Sequence, residues 1–221
     1  MRVVSLVPSV TETLLAWGVE PVACTRFCEQ PQLPHVGGTK DPDVAAIADL
    51  APDLVVVDEE ENRREDHDAF VAAGLAVHVC AVRDLAGLDA QMAALAAAVE
   101  ARWEPIGPLP APEPARRAWV PIWRRPWMAL GEPTYGSTVL RTLGIANVAA
   151  PDGAYPEVDP AVARARGADV VIAPSEPYPF AERHRAELEA VAPAVLVDGR
   201  DLLWWGVRTR GALVRLGAVL G

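Results

Sequence analysis

The stretch DPDVAAIADLAPDLVVVDEE, residues 41–60, returns in altered form as DPAVARARGADVVIAPSE, residues 159–176. Each copy places Asp-Pro before a short helical pattern, then an aspartate, then a β-branched run, then acidic residues. The neighbouring segments repeat as well. GLAVHVCAVRDL (74–85) matches APAVLVDGRDL (192–202), and LLAWGVEPVA (14–23) matches LRTLGIANVA (140–149), with Gly18 and Gly144 each placed to end a helix. Self-similarity of this kind marks a repeated structural unit. Two copies about half a chain apart predict two related lobes.

Within each copy, strand and helix patterns alternate. The first copy reads as a strand at 2–7, a helix from Ser9 to Trp17 and a strand near 21–25. A helix at 43–50, a strand at 54–57, a helix at 62–73 closed by Gly74, and a strand at 76–80 follow. Ser9-x-x-Glu12 has the spacing of a capping box. Alternating strands and helices predict an α/β fold of two Rossmann-like lobes, with parallel sheets flanked by helices. Between the copies, 88–103 has the pattern of a helix, and EPIGPLPAPEPARR (104–117) puts five prolines in fourteen residues. Proline removes donors and fixes φ, so that stretch reads as an extended connector. The predicted organisation is an N-terminal lobe at 1–87, a helix and Pro-rich connector at 88–117, and a C-terminal lobe at 118–221.

Composition narrows the function. The chain has 221 residues, 51% of them hydrophobic, and a formal net charge of −10. Nucleic acid is not an expected partner, because a grip on phosphates needs clustered Lys and Arg, and Lys40 is the only lysine. No apolar run reaches the roughly 20 residues that span a bilayer, so no integral membrane protein is expected. The N-terminus MRVVSLVPSV passes straight into a strand pattern without an apolar leader, which predicts a cytoplasmic location as written. A chain trimmed from a longer precursor would instead be periplasmic or extracellular-facing. Three cysteines (Cys24, Cys28, Cys80) do not make a disulfide framework.

In open parallel sheets, ligands bind beyond the carboxyl ends of the strands. Several stretches fall there. DEEENRRED (58–66) follows the run Leu54–Val57; it suits an acid-rich helix start, and it also places Glu60, Asn62 and Arg63 in a strand-to-helix loop. VPIWRRPWMALGEPTYG (120–136) gathers Trp123, Trp127 and Tyr135 around Arg124 and Arg125, a set suited either to a core or to a flat ligand with polar edges. APSEPYPF (173–180) supplies Glu176 and Tyr178; DGRDLLWWGVR (198–208) supplies Trp204, Trp205 and Arg208. Ser9 lies in the loop after the first strand. FCEQP (27–31) and VGGTK (36–40) add Cys28 and Lys40, with Gly37-Gly38 permitting a positive φ or a close backbone approach. The phosphate-loop pattern is absent, Cys24, Cys28 and His35 match no standard zinc spacing, and the four histidines form no catalytic motif. No metal site and no catalytic residue is expected.

RVVSLVPSVTETLLAWG, VGGTKDPDVAAIADLAPDLVVVDEEENRRED, PIWRRPWM and DGRDLLWWGVR together resemble the class III, helical-backbone substrate-binding proteins of ABC importers for cobalamin, ferric siderophores and heme. The nearest likeness is to a short, cobalamin-type branch without a signal peptide. The resemblance implies a ligand clasped between the lobes and no enzymatic activity. The implied ligand is a corrinoid or related metal chelate, carried as cargo and not held as a cofactor. Trp123, Trp127, Tyr178, Trp204 and Trp205 would supply apolar faces. Lys40, Asn62, Arg63, Glu176 and Arg208 would meet its polar edges, with Arg63 pairing to Glu176 or to a ligand carboxylate. A ferric siderophore or heme is the alternative cargo. An importer permease is the implied partner, met through the acidic Glu59–Glu61 and Glu176 clusters. A corrinoid- or nucleotide-handling enzyme on the same scaffold is the other alternative, with Cys28 as its candidate activated group.

Overall fold

A computed structural model describes all of residues 1–221. The chain divides into two compact units. Unit 1 comprises Met1–Val82, Gly87–Pro105 and Trp205–Val207; unit 2 comprises Arg83–Ala86, Ile106–Trp204 and Arg208–Gly221.

Unit 1 is built on four parallel strands, β1 (Val3–Ser5), β2 (Ala23–Cys24), β3 (Leu54–Asp58) and β4 (Val77–Cys80), in the order β2-β1-β3-β4. Helices α1 (Pro8–Ala16), α2 (Val44–Asp49) and α3 (Arg64–Ala72) connect them, and α4 (Leu85–Ala98) follows β4. Unit 2 repeats the plan with β5 (Arg116–Trp119), β8 (Ile145–Asn147), β9 (Val170–Pro174) and β10 (Ala194–Val197) in the order β10-β9-β5-β8. Read from its other edge, that order superposes β8 on β2, β5 on β1, β9 on β3 and β10 on β4. Helices α5 (Tyr135–Thr142), α6 (Pro160–Ala165), α7 (Arg185–Glu189), α8 (Gly199–Leu203) and α9 (Thr209–Leu220) complete the unit. An antiparallel hairpin, β6 (Pro121–Trp123) with β7 (Met128–Ala129), extends the chain beyond β5.

The duplication reaches side-chain detail. Asp43 caps α2 by accepting from the Ala46 N–H, and Asp159 caps α6 by accepting from Val162. Asp53 accepts from the backbone N–H of Arg2, whose guanidinium donates to the Leu50 carbonyl. Asp169 accepts from the N–H of Arg117, whose guanidinium donates to the Arg166 carbonyl. In both units this arginine–aspartate pair ties the helix end to the start of two neighbouring strands. Gly18 and Gly144 end α1 and α5 at φ of 75° and 72°, a left-handed backbone without Cβ cost.

Each sheet has its own apolar core. Val4, Val55, Val57, Ile47 and Phe70 pack in unit 1, and Trp119, Val171, Ala173, Phe180 and Leu188 in unit 2. No helix is long and apolar enough to cross a membrane.

Two local expectations need correcting. The first helix is not opened by a Ser9–Glu12 capping box. Val7 is its N-cap and Pro8 its first residue, where proline's missing donor costs nothing, and Ser9 is buried inside the first turn. The helix expected over 88–103 runs from Leu85 to Ala98. It stops because Glu100 takes φ of 58°, with Glu100 N–H donating to Ala97 and Ala101 N–H to Ala96. That closing pair usually relies on glycine, so nothing in the residue types announced it. Trp103 then turns back, donating from Nε1 to Asp89 at 2.9 Å and packing edge-on to Trp17.

Candidate functional site

In unit 1, three loops meet at the carboxyl rim of the sheet. The loop after β3 is shaped by its own first residue: Asp58 Oδ1 accepts from the N–H groups of Glu60 (2.9 Å) and Glu61 (3.1 Å). Asn62 closes it. Its Oδ1 accepts from Asp58 N–H at 2.8 Å, while Nδ2 donates to the carbonyls of Thr39 (2.9 Å) and Leu6 (3.4 Å). Lys40 donates to the Glu60 carbonyl at 2.6 Å, fastening the VGGTK loop to the acidic one. Gly38 has no room for a Cβ, which would lie 2.4 Å from Asp41 Oδ1 and 2.7 Å from Arg26 Nη2. Its backbone is thus the floor under a forked Arg26–Asp41 pair at 2.9 and 3.1 Å. Arg26 in turn covers the ring of Phe27, 4.8 Å from its centroid, and that ring is 51% exposed.

Asp58 is 5% exposed, and burial pushes its carboxyl up to about 6. An acid whose folded pKa lies above its unfolded value of 3.8 favours folding most while protonated. That contribution is complete below pH 3.8 and is lost as pH rises through about 6. Above that range the charged group costs about 3 kcal/mol, at 1.36 kcal/mol per unit. Asp58→Asn keeps the acceptor for Glu60 and Glu61 and cannot ionise. It is expected to stabilise the protein by about 3 kcal/mol at pH 8 and by almost nothing at pH 4. Urea melts at the two pH values check this; an equal effect at both would exclude burial of the charge as the cause.

Beside this loop, Val57, Asp58, Asn62, Arg63, Arg64 and His67 line a cavity of about 300 Å³. That is the lower end of the range for small-molecule sites.

In unit 2 the rim is aromatic. Trp123, 46% exposed at the tip of the β6–β7 hairpin, meets Tyr178 edge-on at 5.7 Å. Tyr178 packs on Phe180 at 4.7 Å, Phe180 stacks on Trp127 at 6.1 Å, and Trp127 lies 5.3 Å from the fully buried Trp119. A continuous ladder of rings thus runs from solvent into the core. Arg124 beneath it pairs with Glu187 at 2.8 Å and hydrogen-bonds Tyr178, which holds its guanidinium charged. Arg125 is exposed and forms no ion pair, so its charge is available at the rim. Glu176, in the loop after β9, lies over Gly199, whose Cβ would come 2.5 Å from Glu176 Cγ.

The structure therefore brings Trp123, Arg124, Tyr178 and Trp127 together as the sequence suggested, with Trp127 turned inward. Other expected ligand residues are engaged in bonds within the protein. Asn62 is buried and spends its amide on backbone groups. Arg63 pairs with its helix neighbour Asp66 through two bonds of 3.0 and 3.1 Å. Tyr135 is buried at the start of α5 with its hydroxyl 2.9 Å from Thr209. Arg208 is held by Asp201 at 2.8 Å and lies over Trp204, and Asp201 also takes a fork from Arg215. Trp205 and Ser9 are buried. Cys28 is buried too, with Thr11 and Thr25 hydroxyls each 3.2 Å from its sulfur. A hydrogen bond from Cys24, then those from Thr11 and Thr25, lower its thiol to about 6 against the opposing effect of burial. No histidine or carboxylate bonds this sulfur, so it has no proton acceptor of the kind a nucleophilic mechanism uses. Phe27 is not legible in the sequence: a lone phenylalanine in a polar loop gives no periodic signal, and only its exposure marks it.

Parallel four-stranded sheets in two duplicated units, each ending in a polar or aromatic rim, define the class: the fold is that of periplasmic substrate-binding proteins. Residues 3–104 match the family model described as periplasmic binding protein, so the family's sequence signature lies in the part of the chain that builds most of unit 1. Solved structures share the fold over nearly the whole chain. The periplasmic vitamin B12 binding protein BtuF of Vibrio cholerae is 19% identical, with a TM-score of 0.77 over 99% of this chain and 96% of its own. The periplasmic heme-binding protein HutB of Vibrio cholerae is 19% identical, with a TM-score of 0.79 over 100% and 98%. The periplasmic heme-binding protein BhuT, solved with two hemes, is 21% identical, with a TM-score of 0.82 over 99% and 97%. Comparison with curated proteins finds no match.

Proposed function

We propose that the chain is a non-enzymatic substrate-binding protein for a planar metal chelate, a corrinoid in the first instance, carried as cargo for an ABC-importer permease. The observation that carries the reading is the ring ladder of unit 2. Trp123 and Tyr178 present an aromatic face at a sheet rim, braced from the core by Phe180, Trp127 and Trp119. Such a face suits the broad apolar surface of a macrocycle. Exposed Phe27 under Arg26 offers unit 1 a smaller face of the same kind. Proteins of the same fold that bind vitamin B12 and heme support the ligand class. Working with an importer places the protein outside the cytoplasmic membrane.

Heme is the second reading, favoured by one feature. Arg125 lies at the aromatic rim with no ion partner, and a free guanidinium matches a carboxylate-edged macrocycle better than an amide-edged one. Native mass spectrometry with cobalamin, cobinamide, hemin and a ferric catecholate separates the readings. Retention of a corrinoid supports the first, and retention of hemin alone selects the second. Retention of none removes the chelate function.

A further inference from the structure

The loop that carries Tyr178 is poor in backbone donors. It runs from Ser175, just after β9, to Ala181, and Pro177 and Pro179 bring no N–H groups to it. The Phe180 N–H turns back on the Tyr178 carbonyl at 2.7 Å. The last donor of the loop, the Ala181 N–H, goes to a side chain, the Nδ1 of His184 at 3.1 Å. The His184 N–H in turn donates to the Ala181 carbonyl at 2.8 Å, closing the short turn Glu182–His184 that leads into α7. His184 thus takes the place that a Glu or Gln takes in a capping box. A histidine there differs in one respect: the atom that accepts the hydrogen bond is also the atom that takes up a proton.

A backbone N–H can only donate, so the Ala181 bond holds His184 neutral, with its proton on Nε2. That nitrogen lies 3.5 Å from the Tyr178 hydroxyl. The imidazole also packs on Tyr178 and Phe180, with ring centroids 5.5 and 5.6 Å away, and is 6% exposed. The groups that face it are Arg183 and Glu187 from its own segment, Arg124 from the β6–β7 hairpin, and the Tyr178 hydroxyl. Burial, then the charges of Arg183 and Arg124, hold the imidazole below its usual 6.5, against the opposing effect of Glu187. A second proton has to enter at Nδ1, where it meets the Ala181 N–H and adds a cation beside two arginines. The bonded turn is therefore fully favoured above pH 6.5 and is given up as pH falls below it. We propose that His184 is a positioning residue for the Trp123–Tyr178 face: neutral, it fastens the loop that carries Tyr178, and protonated, it lets that loop go. The face is then presented at neutral pH and withdrawn in acid. The inference rests on the reading of that face as the ligand surface.

The test is NMR of the isotope-labelled protein at about pH 7.5 and about pH 5, either side of the usual histidine value. No macrocycle is present, so the outcome is independent of whether a chelate binds. Nitrogen–proton correlations of the His184 ring should place its proton on Nε2 at the higher pH. The Trp123 indole and Tyr178 ring signals should move between the two conditions, with the same midpoint below 6.5 as the His184 ring itself. The Trp103 indole, tied to Asp89 in unit 1, should stay in place. His184→Gln keeps an acceptor for the Ala181 N–H and cannot take up a proton. In that variant the Trp123 and Tyr178 signals should hold their positions at both pH values. A proton on Nδ1 at the higher pH, unmoved Trp123 and Tyr178 signals in wild type, or the same movement in His184→Gln overturns the proposal. The first two outcomes are read on the wild-type protein and need no variant to fold.

Discussion

Replacing Trp119 by alanine is expected to destabilise the protein by about 3–5 kcal/mol, the cost of removing a fully buried tryptophan and leaving a cavity. Trp119 is 0% exposed on β5 and anchors the inner end of the ring ladder. Its Nε1 is buried without a hydrogen-bond partner. An unpaired N–H is itself costly, so the residue is there for its volume. Trp119→Phe keeps most of the ring surface and discards that group, and should cost about 1 kcal/mol or less. Urea melts of both variants check the pair. A phenylalanine variant as unstable as the alanine one would show that the indole N–H, not the packing, matters. The link to the proposed function runs through Trp127 and Phe180, which connect Trp119 to Tyr178 beside Trp123.

The second large effect is at Asn62. Its carboxamide meets three backbone groups from three loops: Asp58 N–H, Thr39 C=O and Leu6 C=O. Asn62→Ala strands the two groups held at 2.8 and 2.9 Å, Asp58 N–H and Thr39 C=O, and a cost of about 2–4 kcal/mol follows at roughly 1–2 kcal/mol per stranded group. Asn62→Asp is no rescue, since a carboxylate would face the Thr39 carbonyl. By contrast Arg63→Ala removes a half-exposed ion pair with Asp66 and should cost less than about 1 kcal/mol. Thermal melts of the three variants give the ranking. Equal losses at Asn62 and Arg63 would contradict the bracket assigned to Asn62.

Asn62 also shows what the residues disclosed and what they withheld. Its position just beyond β3 was legible, because a β-branched run followed by charged residues marks a strand end. Which way its side chain turns was not. That depends on Thr39 and Leu6, 23 and 56 positions away, meeting it in space. The same holds for Tyr135 and Trp205, placed at rim positions by pattern and buried by tertiary contacts. The repeat was legible because its period survives substitution: the Asp-led helix, the β-branched run and the glycine stop recur. Yet the Arg2–Asp53 and Arg117–Asp169 pairs, the sharpest token of duplication, give no signal in the sequence. Arginine and aspartate on a surface carry no periodicity of their own. Trp123 and Tyr178 are legible as candidates because both fall at strand ends, Trp123 beside Arg124 and Tyr178 at the repeat position of the loop after β3. Their partnership with Phe180 needed coordinates.

The central claim is that the Trp123–Tyr178 face receives a metal macrocycle. Its most direct test is a tryptophan-fluorescence titration of wild type and Trp123→Ala with cobinamide and with hemin. Wild type should show saturable quenching by at least one of them. Trp123→Ala should bind that ligand about 30-fold more weakly, the equivalent of about 2 kcal/mol for a central aromatic contact, while its melting temperature stays unchanged. Equal affinity in wild type and Trp123→Ala, or no saturable signal from either macrocycle, would contradict the account.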